Sequence, residues 1–151
     1  MAIEQTLVIV KPDGVQRGLV GEIVGRLERR GLKIAALGMR LIDPELAGTH
    51  YAEHQGKPFY AGLVEYIGSG PSVLMVLEGP DAIAATRSTV GATNPVKAAP
   101  GTIRGDLGMM TGRNLIHASD SPESAEREIG LFFGSGGALS YERAIDPWIV
   151  E

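Results

Sequence analysis

Two periodicities alternate along this chain, short β-prone apolar runs and stretches with helical spacing, and their order admits few folds. Thr6 to Val10 carries Val8, Ile9 and Val10 and is closed by Lys11-Pro12-Asp13-Gly14, which predicts a buried strand with turn residues behind it. Lys11 is expected where that strand opens into a loop. From Val20, the residues Val20, Ile23, Val24 and Leu27 follow helical spacing, with Arg29 and Arg30 in the last turn and Gly31 as the C-cap. Lys33 to Ile42 reads as the second strand. Asp43-Pro44-Glu45 then opens a helix, with Asp43 as N-cap, that is expected to carry Tyr51 and His54. A short helix is predicted over Tyr60 to Ile67, stopped by Gly68-Ser69-Gly70-Pro71, and Val73 to Leu77 is a third, fully buried strand.

Pro80 to Val90 reads as a helix with Ile83 and Val90 on its buried stripe. Arg87 falls on that same side, where a guanidinium needs an anion or a carbonyl. The stretch from Gly91 to Arg113 is rich in Gly, Pro, Thr and Asn, and a loop of that length inside a compact domain is more often functional than idle. It runs into a short strand at Asn114-Leu115-Ile116-His117. Ser121-Pro122-Glu123 has the grammar of a helix start, and Ala125, Ile129, Phe132 and Phe133 share one face before Gly134 ends the helix. The tail carries Tyr141, Ile145 and Trp148, which are expected to dock on the body or on a neighbouring subunit.

This succession is a βαββαβ order with added helices, which implies an α+β, ferredoxin-like antiparallel sheet covered by helices, a long active-site loop and a C-terminal tail. With 151 residues, no internal repeat and no dividing linker, a single domain over 1–151 is expected. The same architecture hosts many unrelated activities, so function must come from the residues.

The net charge of -4 gives no whole-surface attraction to nucleic acid or to an anionic membrane, so a phosphate site must be a local basic cluster. With 0 cysteines, disulfides and zinc thiolate sites are excluded. No apolar run reaches membrane-spanning length and the start lacks a signal-peptide pattern, so a cytoplasmic protein is expected.

No Gly-x-x-x-x-Gly-Lys-Ser/Thr occurs, and the protein-kinase signatures are missing as well. What remains is a set of cationic and polar residues in or beside loops: Lys11, Arg87, Thr93, Arg104, Arg113, Asn114 and His117. Each alone has an ordinary explanation: Lys11 as a solvated strand end, Arg87 as half of a salt bridge, Thr93 as a turn former, His117 as a satisfied core histidine. Against the last of these, Ser119, Asp120 and Ser121 follow at once and Glu128 lies on the next helix, so a carboxylate could orient the imidazole and fix its tautomer. A neutral, oriented imidazole is a nucleophile. His50 and His54 sit on the Tyr51 helix, and a solvated face is the expectation for His50.

Lys11-Pro12-Asp13-Gly14-Val15-Gln16-Arg17-Gly18 and Asn114-Leu115-Ile116-His117-Ala118-Ser119-Asp120-Ser121, with Ser124, Ala125, Glu126 and Glu128, resemble the opening segment and the active-site signature of the nucleoside diphosphate kinases. Ser69-Gly70-Pro71, Thr93-Asn94-Pro95 and Pro100 to Asp106 match in the same order, so the resemblance covers essentially the whole chain. It implies that His117 takes the phosphate of a donor triphosphate and passes it to an acceptor diphosphate, supported by Glu128 and Ser119. It further implies phosphate binding by Arg87, Thr93, Arg104 and His54, ribose contacts by Lys11 and Asn114, with Lys11 also reaching the phosphate, Phe59 stacked on the base, and Tyr51 near the transferred group. Thr111, where some relatives carry valine, completes the nucleotide-binding set; Ala118 and Lys57 depart from the usual glycine and arginine.

Stacking on one aromatic face tolerates any base, so purine and pyrimidine nucleoside triphosphates and diphosphates are both expected partners. Mg2+ is the implied cofactor, held mainly by nucleotide phosphates with no dedicated protein ligands. The family's habit implies a homo-oligomer, a hexamer rather than a tetramer from the tail at Trp148 to Glu151. Nucleic acid and membrane are not expected partners. The competing reading is a non-catalytic ferredoxin-like nucleotide-binding regulatory module with a structural His117.

Overall fold

A computed structural model describes residues 3–151. The strands are β1 (Ile3–Val10), β2 (Lys33–Arg40), β3 (Ser72–Pro80) and β4 (Ile116–Ala118), all antiparallel and ordered β2-β3-β1-β4. That is the ferredoxin-like arrangement the element order implied. The two central strands are buried on both faces, which is why they read as continuous apolar runs rather than as alternating ones.

Alternation nevertheless sorts their side chains into two cores. Val8, Val10, Val73, Met75 and Leu77 pack on one face against Ile23 and Leu27 of α2 (Val20–Arg29) and Ala82 and Val90 of α5 (Ala82–Val90). Leu7, Ile9, Leu74 and Val76 face the other way. They meet Ala47 of α3 (Pro44–His50), Ile67 of α4 (Tyr60–Ile67) and Phe132 of α7 (Pro122–Phe133). Truncating a fully buried residue such as Ile9 or Ile23 to alanine costs about 2–5 kcal/mol.

Several local features differ from the sequence expectation. Lys11-Pro12-Asp13-Gly14 is not an open turn: Pro12–Gln16 is a short helix, α1, with proline at its first position. The helix after Asp43 stops at His50; Tyr51 is its C-cap and His54 lies in a separate helical turn, Ala52–His54. Pro80 ends β3 rather than starting α5. The segment after Gly91 holds two short helical pieces, Pro95–Lys97 and α6 (Ile103–Leu107). Asn94 and Thr102 cap them, their side chains accepting the N–H of Val96 and Gly105.

The tail docks on the chain's own body. Leu139 N–H bonds the carbonyl of Ala35, Tyr141 Oη donates to that of Ile34, and Arg143 donates to that of Gly31. Trp148 itself is 89% exposed. Among the described residues no helix is long and apolar enough to cross a membrane.

Candidate active site

His117 is aimed by sheet register. It pairs with Ile9 at the centre of β4, so Ile116 and Ala118 enter one core while the imidazole projects from the opposite face, toward α3 and α7. The residue that turns the chain into this strand, Leu115, is fully buried and has a φ of 75°, a left-handed conformation that a branched residue adopts only under constraint. Asp13 supplies the constraint: its Oδ2 accepts the Leu115 N–H at 3.0 Å, while the Lys11 N–H bonds the Leu115 carbonyl at 2.8 Å. Gly14 must be glycine here, because a Cβ would lie 2.7 Å from Val10 and 3.2 Å from the Leu115 carbonyl. The other oxygen of Asp13 accepts from the Tyr66 hydroxyl.

Nε2 of His117 lies 2.9 Å from Oε1 of Glu128, and Ser119 Oγ donates to the same oxygen at 2.6 Å. Ser119 is held in turn by the Leu7 N–H at 3.2 Å. Burial disfavours charge on Glu128, but the hydrogen bond and charge of His117, with Ser119, outweigh it and keep the carboxyl below its usual range. A carboxylate facing Nε2 fixes the proton there and leaves the Nδ1 lone pair free.

Cations converge on the same cavity, which has a volume of about 320 Å³. Lys11 Nζ donates to Asn114 Oδ1 at 2.9 Å, and Asn114 Nδ2 donates to the Thr93 carbonyl at 3.0 Å. Burial, and then the nearby Arg104 charge, lower the Lys11 pKa to about 8 despite Asp13. Arg104 is buried and donates to the carbonyls of Asn114, Gly91 and Ile116 at 3.2, 3.2 and 2.5 Å. Burial, then the charge of Arg87, lower its pKa to about 10. Arg87 found the carbonyl its position called for, that of Ala118 at 3.0 Å, and the residue as a whole is exposed.

Of the residues singled out in the sequence, Lys11, Tyr51, His54, Arg87, Thr93, Arg104, Thr111, Asn114, His117 and Glu128 all line this cavity. Ser119 stands behind Glu128, outside the lining. Phe59 lies at the edge, half-exposed, its ring centroid 5.3 Å from that of His54. Arg113 packs its guanidinium over the Tyr66 ring instead. Tyr51 is buried, and burial followed by the charge of Glu128 pushes its pKa up to about 12.

The expectation for His50 is overturned. It is 4% exposed, its ring centroid 4.8 Å from that of His117, with Nδ1 3.9 Å from Oε2 of Glu128. Burial, then the charge of His117, lower its pKa to about 3. The misreading came from treating the helix end as solvent; His50 stands three residues after the buried Ala47 and so shares its face. Asp13 and Tyr66 were also missed as supports, and no spacing rule brings them to Leu115.

The sequence matches the family model described as nucleoside diphosphate kinase over residues 4–137. It is 62% identical to the nucleoside diphosphate kinase of Archaeoglobus fulgidus, covering 99% of each chain. With that of Carboxydothermus hydrogenoformans it shares 60% identity over 99% of this chain and 100% of the relative. A halophilic nucleoside diphosphate kinase from Halobacterium salinarum, solved in complex with CDP, superposes with a TM-score of 0.96 at 52% identity, covering 99% of this chain and 100% of that one.

Proposed function

Because this chain belongs to the nucleoside diphosphate kinase family, we propose that it works by a ping-pong route through a phosphohistidine at His117. Its activity is the family's, transfer of the terminal phosphate of a nucleoside triphosphate to a nucleoside diphosphate. The observation that carries the mechanism is the pairing of His117 Nε2 with Glu128, which leaves Nδ1 as the nucleophilic atom at the cavity.

Nδ1 attacks the terminal phosphorus of the donor, and the electron pair of the breaking P–O bond leaves on the diphosphate. The ring becomes an imidazolium whose Nε2 proton stays with the Glu128 carboxylate. Diphosphate departs, an acceptor diphosphate binds in the same place, and its terminal oxygen takes the phosphoryl group by the reverse displacement. Phosphoryl transfer spreads charge over the equatorial oxygens, and Arg87, Arg104 and Lys11 are the groups assigned to neutralise it, with Thr93, His54 and Tyr51 at the phosphates. Asn114 and Lys11 are assigned to the ribose, and Phe59 and Thr111 to the base.

The family requires a divalent cation. Mg2+ prefers oxygen ligands and retains water, and a cavity dominated by cations suits an ion that arrives on the nucleotide phosphates. Asp120, which lines the cavity with Glu53 and Glu128 and is held below its usual range first by a Ser124 hydrogen bond, is one carboxylate near it. The bound ion would neutralise charge on the phosphate oxygens.

Broad base specificity belongs to the same proposal. It is supported by an exposed aromatic face as the base contact and by the Halobacterium salinarum relative's complex with a pyrimidine nucleotide. So does a homo-oligomer: β2 is a sheet edge carrying exposed Leu37 and Met39, with exposed Leu41 just after it, a surface that soluble proteins cover, and the tail at Trp148 to Glu151 favours the hexamer. A single domain over 1–151 and a cytoplasmic location complete it. The test is a coupled assay with ATP and a deoxynucleoside diphosphate, with and without Mg2+. New deoxynucleoside triphosphate that depends on the ion is expected, and nucleotide binding without transfer would overturn the reading.

A further inference from the structure

His50, His117 and Glu128 are the one group of three potential ligands among the described residues whose donor atoms lie within 4.8 Å of one another. We propose that they form a binding site for a borderline divalent cation of the zinc type, distinct from the ion carried by the nucleotide, and that its occupation silences His117. Two imidazoles and a carboxylate suit zinc or cobalt, whereas Mg2+ selects oxygen.

The geometry needs little adjustment. Tetrahedral zinc with bonds of about 2.0–2.1 Å sets its donor atoms roughly 3.3 Å apart. His117 Nε2 stands 2.9 Å from Oε1 of Glu128 and His50 Nδ1 3.9 Å from its Oε2, and with one donor atom from each residue the three lie within 4.8 Å of one another, so the imidazoles must close on a shared ion. Nδ1 of His50 is buried without a hydrogen-bond partner, which carries a free-energy cost unless something engages it. Apolar packing against Tyr51 and Phe132 keeps the imidazole neutral and oriented, the form a metal ligand requires. The competing charges are Lys11, across the cavity, and Arg127, whose Nη2 is 3.7 Å from Oε2 of Glu128 and whose half-exposed side chain can turn to solvent. Three protein ligands leave a fourth position for water, and all three residues line the cavity.

The consequence rests on His117 being the phosphoryl carrier. A metal on Nε2 occupies that lone pair, and the displaced proton moves to Nδ1 as the other neutral tautomer. Nδ1 then has no lone pair for phosphorus. Conversely, in the phosphoenzyme Nδ1 is taken and the Nε2 proton has no second ring nitrogen to move to, so phosphoryl group and metal oppose each other, and each weakens the other by the same factor.

Co2+ added to the chelator-treated enzyme reads the site directly, through the visible absorption of a low-coordinate cobalt centre. A band that saturates at one ion per chain and is displaced by Zn2+ but not by Mg2+ is expected. His50→Phe should weaken Co2+ binding at least tenfold, and wild-type enzyme first phosphorylated with ATP and then freed of nucleotide should show no band. No band in the wild type, an unchanged band in His50→Phe, or a band untouched by phosphorylation would each overturn the site. The phosphoenzyme comparison uses wild-type protein, so the outcome does not depend on the variant folding. Labelling by ATP with Mg2+, in enzyme free of zinc and cobalt, is measured in parallel: its absence at His117 would sink the carrier reading while the cobalt band still judged the site, and labelling insensitive to Zn2+ would sink the inhibition.

Discussion

Asp13 Oδ2 accepts the backbone N–H of Leu115 at 3.0 Å, and this bond fixes a residue held at a φ of 75° immediately before the strand that presents His117. The strain at Leu115 persists because surrounding groups over-determine it. Asp13→Ala leaves that buried N–H without an acceptor and should cost about 1–3 kcal/mol of stability. Asp13→Asn, which keeps one carbonyl oxygen, should cost less. Denaturant midpoints and nucleotide KM values measured together check the point: KM should rise in Asp13→Ala because Lys11 and Asn114 flank the same turn. Unchanged stability and unchanged KM would remove Asp13 from the support of the site.

Arg87 and Arg104 were read alike from the sequence, as phosphate ligands, but their surroundings separate them. Arg104 is buried and satisfies three carbonyls, so Arg104→Ala should lower the melting temperature as well as the rate. Arg87 is exposed and makes one carbonyl bond. Arg87→Ala should therefore cut the phosphorylation rate on the order of 10²–10³-fold, the usual loss for one charge-stabilising donor, with little thermal effect. Rapid-quench labelling paired with thermal melts distinguishes the two, and a fully active Arg87→Ala would contradict its assignment.

The strand and helix order was legible because each element announces its own period, and the ends of α2, α4 and α7 follow from Gly31, Gly68 and Gly134. The cavity-lining residues were legible as a motif, since most of them sit in segments with little reason to be so polar. Short helices were not. Pro12–Gln16 and Ile103–Leu107 lie in Gly- and Pro-rich sequence whose local preference is for turns, and tertiary contacts and the cap at Thr102 decide their form. His50 was misplaced because nothing local reveals that α7 and β4 close over the end of α3. Burial of a polar residue depends on what packs against it, which a one-dimensional pattern does not contain.

Lys11 titrates near neutral pH because burial and Arg104 depress its pKa to about 8 from an unfolded value of 10.5. The free enzyme loses that charge above about pH 8, so kcat/KM for nucleotide should decline there, and the decline should be absent from the much weaker Lys11→Met. Stability runs the other way. Between about pH 8 and 10.5 the unfolded chain binds the proton that the folded one has released, so this group's contribution rises with pH, by roughly 1.4 kcal/mol per unit at most. Subtracting the pH–stability curve of Lys11→Met from that of the wild type isolates it; a difference that falls with pH would refute the assignment.

Glu128 acts on the reaction through the imidazole. Glu128→Gln keeps the size but loses the charge that balances the imidazolium, and should slow phosphorylation on the order of 10- to 100-fold. KM should move far less than kcat, because Glu128 faces the ring rather than the nucleotide. A variant with normal kcat and a raised KM would show that the carboxylate serves binding instead.

The most direct measurement follows phosphate onto a single side chain. Purified enzyme is mixed with ATP and Mg2+ without an acceptor, quenched under mild alkaline conditions that preserve phosphoramidate bonds, and mapped by mass spectrometry. One phosphoryl group per chain on His117, discharged on addition of a nucleoside diphosphate and absent from His117→Gln, is the predicted result. Transfer between nucleotides at full rate with His117 never modified, or undiminished turnover in His117→Gln, would contradict it.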